Sequence, residues 1–100
     1  EGRLATQLAR EHHEHWDGRG YPLGLCREEI GLESRILAIV NQIDALFASS
    51  RLRSSLTLES MRGVLVRQAG HELDPQLVEL ALANLDALMQ ARARVRSAVT

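Results

Sequence analysis

Four of the eight residues from Asp17 to Gly24 are glycine or proline, and this run separates segments that are otherwise helically periodic. Asp17-Gly18 and Gly20 open backbone conformations with φ > 0, while Pro22 fixes its own φ and drives Tyr21 toward an extended form. Such a stretch is a shaped loop, and any regular structure has to be arranged around it. The chain's single Trp and single Tyr, Trp16 and Tyr21, sit at this loop, directly after His12-His13-Glu14-His15. A chain needing aromatics only for its core would place them in periodic segments, so the loop is where function is expected.

On the N-terminal side, Leu4, Leu8 and His12 recur at i, i+4 with Ala5 and Ala9 beside them, which predicts a helix over 3–14. His12 and His13 then project about 100° apart, so that one can coordinate an ion while the other reaches a second ion or braces the first. The alternative is a helix C-terminus that favours cationic side chains. His15, at i+3 from His12, is read as solvent-facing. Glu14 either supports a ligating imidazole from behind or caps and solvates the helix end. Residues 16–31 are expected to be irregular, with one short helical turn over 27–30, and Trp16 and Tyr21 also suit a small satellite core that pins the loop.

Beyond the loop, Leu32, Ile36, Ile39, Val40, Ile43, Leu46 and Phe47 predict a helix over 32–48. Asn41 and Asp44 lie three apart on its flank, facing the histidines or, for Asp44, pairing with an arginine such as Arg35. Residues 49–55 read as a break. Thr57 is a candidate N-cap for a helix through Ala69, which Gly70 ends, and His71 falls in a turn. Asp74-Pro75 is an N-cap followed by proline at the first helical position, and the helix it starts runs to about Val95.

With 100 residues the chain makes one domain with a thin core, and the pattern is all-α: about four helices with a long loop after the first. A net charge of −1 with mixed signs gives no footprint for a nucleic-acid polymer, so an anionic ligand needs a local site made by metal ions or by Arg10, Arg19 and Arg27. Arg92, Arg94 and Arg96 are expected to complement a helix dipole. There is no run of 18 apolar residues and no apolar leader, and the single Cys26 suits a partly buried thiol in a reducing compartment; a cytoplasmic protein without a membrane span is expected.

The run His-His-Glu, two residues, Asp-Gly, one residue, Gly-Tyr-Pro, followed by Leu23-Gly24-Leu25 and Glu28-Glu29-Ile30, resembles the HD-GYP family of bacterial signalling phosphodiesterases. The similarity continues through Ser34-Arg35-Ile36-Leu37-Ala38-Ile39, Asp44-Ala45-Leu46 and Ala69-Gly70 to Leu73-Asp74-Pro75, covering roughly residues 10–82. The resemblance implies an HD-domain-like helical bundle in which two or three iron or manganese ions activate a water that attacks cyclic di-GMP. Carried over by position, His12, His13 and Asn41 stand at metal-ligand positions, and Asp44 flanks the site. Glu14, Asp17, Gly18, Gly20, Tyr21 and Pro22 form the loop that recognises substrate or partner.

Three departures accompany the resemblance. The family helix typically reads Ala-Asp-x-x-Asp-Ala, and Asn41 here replaces a ligating carboxylate with a neutral amide, which weakens attraction for a hard cation. The Arg-Pro-Tyr-Arg that follows that helix in the family lacks its Pro and Tyr here. No His-Asp doublet occurs anywhere in the sequence. The chain is therefore expected to be a single HD-GYP-like domain portion over 1–100 with the upstream HD helices absent, to carry no catalytic residue of its own, and to be inactive alone. The alternative is a non-catalytic module that uses the Gly-Tyr-Pro loop to bind a diguanylate cyclase domain. An apolar face left uncovered would favour a homodimer.

Overall fold

A computed structural model describes residues 2–52 and 57–99. The described chain is all-α: α1 (Arg3–Glu11), a 3₁₀ turn (Arg27–Glu29), α2 (Leu32–Leu52), α3 (Leu58–Gln68), α4 (Pro75–Ala83) and α5 (Leu85–Val99). Its only β features are isolated bridges, Asp17 with Cys26 and Ala69 with Leu73.

The core forms where α2, α3, α4 and the start of α5 meet. Ile39, Leu46 and Phe47 come from α2, Met61 and Leu65 from α3, Leu73 from the turn, Val78 and Ala81 from α4, and Leu85 from α5. These are the positions that the helical spacing places on inward faces, and full burial of one such side chain contributes about 1.5–3 kcal/mol. Leu65 and Leu85 are the deepest, at 0% and 1% exposure.

Two helix starts follow directly from their caps. Thr57 Oγ1 accepts the Ser60 N–H at 3.1 Å, and Asp74 Oδ1 accepts the Gln76 N–H at 2.9 Å with Pro75 behind it. Gly70 takes φ +82° after α3, and its N–H donates to Leu73 O at 2.8 Å, which closes the turn containing His71.

Four boundaries differ from the sequence expectation. First, α1 ends at Glu11 rather than at 14. His12 Nδ1 lies 2.9 Å from Ala9 O, the carbonyl that a His13 N–H would need for another helical turn, and the Glu14 N–H instead donates to Glu11 O at 2.9 Å. Second, α2 continues to Leu52, past the break expected from residue 49; residues 53–56 of that break lie outside the described residues. Third, the helix expected over 75–95 is two helices. Asn84 Nδ2 donates to Leu80 O at 2.8 Å, taking the carbonyl that its own N–H would use, and that N–H falls back on Ala81 O at 3.1 Å. Fourth, α5 extends to Val99. The helices accordingly number five among the described residues, where about four were expected.

α1 buries none of its residues, and Leu4 remains 49% exposed. It is tied to the rest by Glu11, whose Oε1 accepts the Gly31 N–H at 3.0 Å, and by Gln7, whose Nε2 reaches Glu33 Oε1 at 3.5 Å.

Candidate functional site

The chain from His12 to Gly31 leaves α1, crosses to the turn between α3 and α4, and returns to the start of α2. At its base, the Trp16 N–H donates to Glu72 O at 3.2 Å and the Asp17 N–H to His71 O at 2.9 Å. The returning segment is fastened by the Arg27 N–H donating to Trp16 O at 2.9 Å. The expected short turn is present, and the Cys26 N–H donates to Glu29 Oε1 across it at 2.8 Å. Cys26 is half-buried.

Within the loop, Asp17 Oδ1 accepts the Arg19 N–H at 3.0 Å, and Gly18 takes φ +85°. Gly20 is required for a different reason. It packs so closely on the turn that a Cβ there would overlap the backbone of His13, Glu14 and His15. The Tyr21 N–H donates to His13 O at 3.1 Å, the Tyr21–Pro22 peptide is cis, and the Tyr21 ring stacks on the His13 imidazole with centroids 4.7 Å apart. His13 in turn meets His12 at 3.9 Å. Tyr21 and Leu23 remain 60% and 61% exposed, so the tip of the loop faces solvent and Tyr21 takes no part in a satellite core, whereas Trp16 at the base is half-buried.

Glu14 does neither of the things expected of it. Only 4% exposed, it accepts the Leu23 N–H on Oε2 and the Leu25 N–H on Oε1, both at 2.7 Å. Each carboxylate oxygen is thus engaged by one loop amide. Nothing in the sequence near Glu14 marks this, because its partners lie nine and eleven residues away; the one available signal was an acidic residue beside a loop rich in backbone donors.

A polar cleft of about 260 Å³ opens beside the turn, lined by His12, Glu14, His15, Asn41, Gln42 and Glu72 among others. The structure therefore brings His12 and Asn41 to one cleft, while the ring of His13 is turned to Tyr21. His12 Nδ1 faces the carbonyls of Leu8 and Ala9 at 3.2 and 2.9 Å, which places its proton there and leaves Nε2 as the free lone pair, the tautomer a ligand needs. His15 is half-buried in this cleft and not solvent-facing; it and Glu72 are cleft residues that the motif did not indicate.

Asp44 is exposed and pairs with Arg92, whose Nε lies 3.2 Å from Oδ1 while its guanidinium covers the Phe47 ring. Arg92 is thereby engaged along the side of α5. The partner proposed for Asp44, Arg35, is instead committed elsewhere. Its Nη1 donates to Asp74 Oδ2 at 2.8 Å, its Nε donates to Ile30 O at 2.9 Å, and it lies 5.9 Å from the Trp16 ring. This part-buried group joins the loop's entry, its exit and the cap of α4.

The metal centre that the resemblance implies requires several anionic or imidazole donors around one point. Among the described residues, no group of three or more His, Cys, Asp or Glu side chains is placed to hold a metal ion. Glu14 has both oxygens engaged, Asn41 is uncharged, and His13 is stacked. The residues present do not fit a centre of two or three ions.

Comparison with known proteins agrees with this architecture. The HD domain family matches residues 4–77. A 3'3'-cGAMP-specific phosphodiesterase of Vibrio cholerae is 40% identical over 91 residues, 91% of this chain and 17% of the relative. The cyclic di-GMP phosphodiesterase response regulator RpfG of Xanthomonas campestris is 38% identical over 93 residues, covering 93% and 23% of the two chains. A cyclic di-GMP phosphodiesterase of Thermotoga maritima is 32% identical over 80 residues, covering 80% and 22%. The chain thus spans about a fifth of the length of these relatives. A helical scaffold matched over residues 4–77, carrying the intact His-His-Glu and Gly-Tyr-Pro run folded as one unit, means that the chain belongs to the HD domain family and is of its HD-GYP type.

Proposed function

We propose that the chain is the loop-bearing portion of a phosphodiesterase domain for cyclic di-GMP or a related cyclic dinucleotide, and that it does not hold the iron or manganese centre by itself. The observation that carries this reading is the joint folding of His12–Pro22 into one unit beside the cleft that holds Asn41. What these residues contribute is binding and orientation. His12 and Asn41 face the cleft, His13 props Tyr21, and Asp17, Gly18, Gly20 and Pro22 shape the loop that meets the substrate. Completion of the metal centre belongs to upstream HD helices in this reading, and Asn41 lowers the affinity even then, since it supplies a dipole where a full charge attracts a hard cation.

The test is the metal content of the purified chain, set against a His12→Ala, His13→Ala double variant, together with cyclic di-GMP binding by calorimetry and hydrolysis by chromatography. The expected result is substoichiometric iron and manganese in both proteins, no hydrolysis, and binding that Tyr21→Ala weakens. Near-stoichiometric metal that disappears in the double variant would overturn the incomplete-site reading. Absence of cyclic di-GMP binding would remove the ligand.

The exposed tip, with Tyr21 and Leu23 each about 60% accessible, favours a second role for the same loop as a contact surface for a diguanylate cyclase domain. The exposed apolar face of α2, α4 and α5 supports pairing with a second copy of the chain. No helix among the described residues is long and apolar enough to cross a membrane, and a cytoplasmic setting forms part of this proposal.

A further inference from the structure

Glu14 is a buried carboxylate with no cationic side chain paired to it among the described residues, and its charge is met by backbone amides alone. Its two acceptor bonds are short and charge-assisted, a type roughly twice as strong as neutral hydrogen bonds. The donors flank Gly24, whose φ of +68° lets the Leu23 and Leu25 N–H groups converge on one anion, as in a backbone nest. The tip of the loop is held on the same three-residue turn by two further contacts, the Tyr21 N–H donating to His13 O and Gly20 packing on the backbone of residues 13–15, while its base is fastened separately to His71 and Glu72. None of these contacts uses the free Nε2 of His12.

We propose that Glu14 is a positioning residue which fixes the presented form of the Gly-Tyr-Pro loop without help from any metal ion, so that the recognition surface is formed before and independently of ion loading. This rests on the reading above that the loop recognises a ligand. Leu23, Tyr21 and Pro22 are held outward because the backbone on either side of Gly24 is drawn inward. Removing the negative charge while keeping the side-chain shape removes the pull. Glu14→Gln can accept only one of the two amides on its carbonyl oxygen and presents an NH₂ to the other. Preorganisation of the tip is then lost, and with it affinity.

The test uses the isotope-labelled 100-residue chain after chelator treatment. In the wild type, the Leu23 and Leu25 amide protons are expected far downfield and slow to exchange, each showing a through-hydrogen-bond coupling to Glu14 Cδ, unchanged on adding Zn²⁺. Glu14→Gln should abolish the downfield shifts and accelerate exchange over residues 21–25 by about tenfold or more, with the core amides of Leu65 and Val78 unaffected, and weaken cyclic di-GMP by about tenfold. His12→Ala should leave the loop amides in place. Loop amides that become protected only when Zn²⁺ is added, or a wild type without the couplings, would overturn the proposal, and the wild-type measurement decides even if the variant does not fold. Couplings present in a chain that does not bind cyclic di-GMP would sustain the clamp and remove the functional reading instead.

Discussion

The side chains that shape the loop act through the backbone. Glu14 holds two amides and Arg35 holds the Ile30 carbonyl, while Gly20 contributes by having no side chain at all. Gly20→Ala tests this last point. A methyl group there meets main chain on all sides, where no rotamer change relieves it, so the loop must lift from the turn. The expected outcome is loss of the Tyr21–His13 stack and a cost of about 1–3 kcal/mol, read as a lower urea midpoint with unchanged slope. The His13 ring protons, shifted by the tyrosine ring current in the wild type, should move back toward free-imidazole positions. An unchanged midpoint and unchanged shifts would mean that the packing around Gly20 is looser than described.

Among the elements, the two capped helices differ in what their caps are joined to. Thr57 serves only α3, exposed and bonded to Ser60. Asp74 caps α4 with one oxygen and binds Arg35 with the other, at 2% side-chain exposure. Thr57→Ala should therefore cost about 1 kcal/mol. Asp74→Ala loses the cap and leaves a part-buried guanidinium without its carboxylate, for an expected loss of about 3 kcal/mol or more. Thermal or urea unfolding of both variants checks the ratio; equal losses would mean that the Arg35 pair is energetically idle. Both caps were legible in the sequence because a cap is a local event, decided within three residues. Arg35–Asp74 spans 39 residues and was not, so Arg35 was assigned to Asp44 on the same helix, which in fact meets Arg92. The break at Asn84 escaped for a related reason. The apolar spacing continues across it, and only the side-chain bond to Leu80 O, a competition invisible to periodicity, separates α4 from α5. The loop motif marked the segment beside which the cleft opens, whereas the partners of Glu14, which holds the loop and also lines the cleft, depended on where distant amides came to lie.

At the scale of the whole molecule, the core is one-sided. The buried residues of α2, α3 and α4 face one another, yet Ile36, Val40, Leu80 and Leu88 remain 42%, 52%, 61% and 40% exposed. Together with Ile43 and Ala87 they line an apolar groove of about 670 Å³ between α2 and the α4–α5 pair. Contiguous apolar surface of this kind is uncommon on monomers and is covered in most proteins that possess it. In the isolated chain, the available cover is another copy. Sedimentation equilibrium should therefore give a mass that rises with concentration from 11.1 kDa toward twice that value. The Val40→Lys, Leu80→Lys double variant places two cations on the groove without entering the core, since neither side chain belongs to the buried set. It should remain at the single-chain mass and retain its helical circular dichroism. A wild type that stays monomeric at every concentration while still binding a hydrophobic dye such as anilinonaphthalene sulfonate would show that the face is open to solvent and that a second copy is not its partner. Self-association that persists in the double variant would place the contact on another surface, such as α1, whose Leu4 is also exposed.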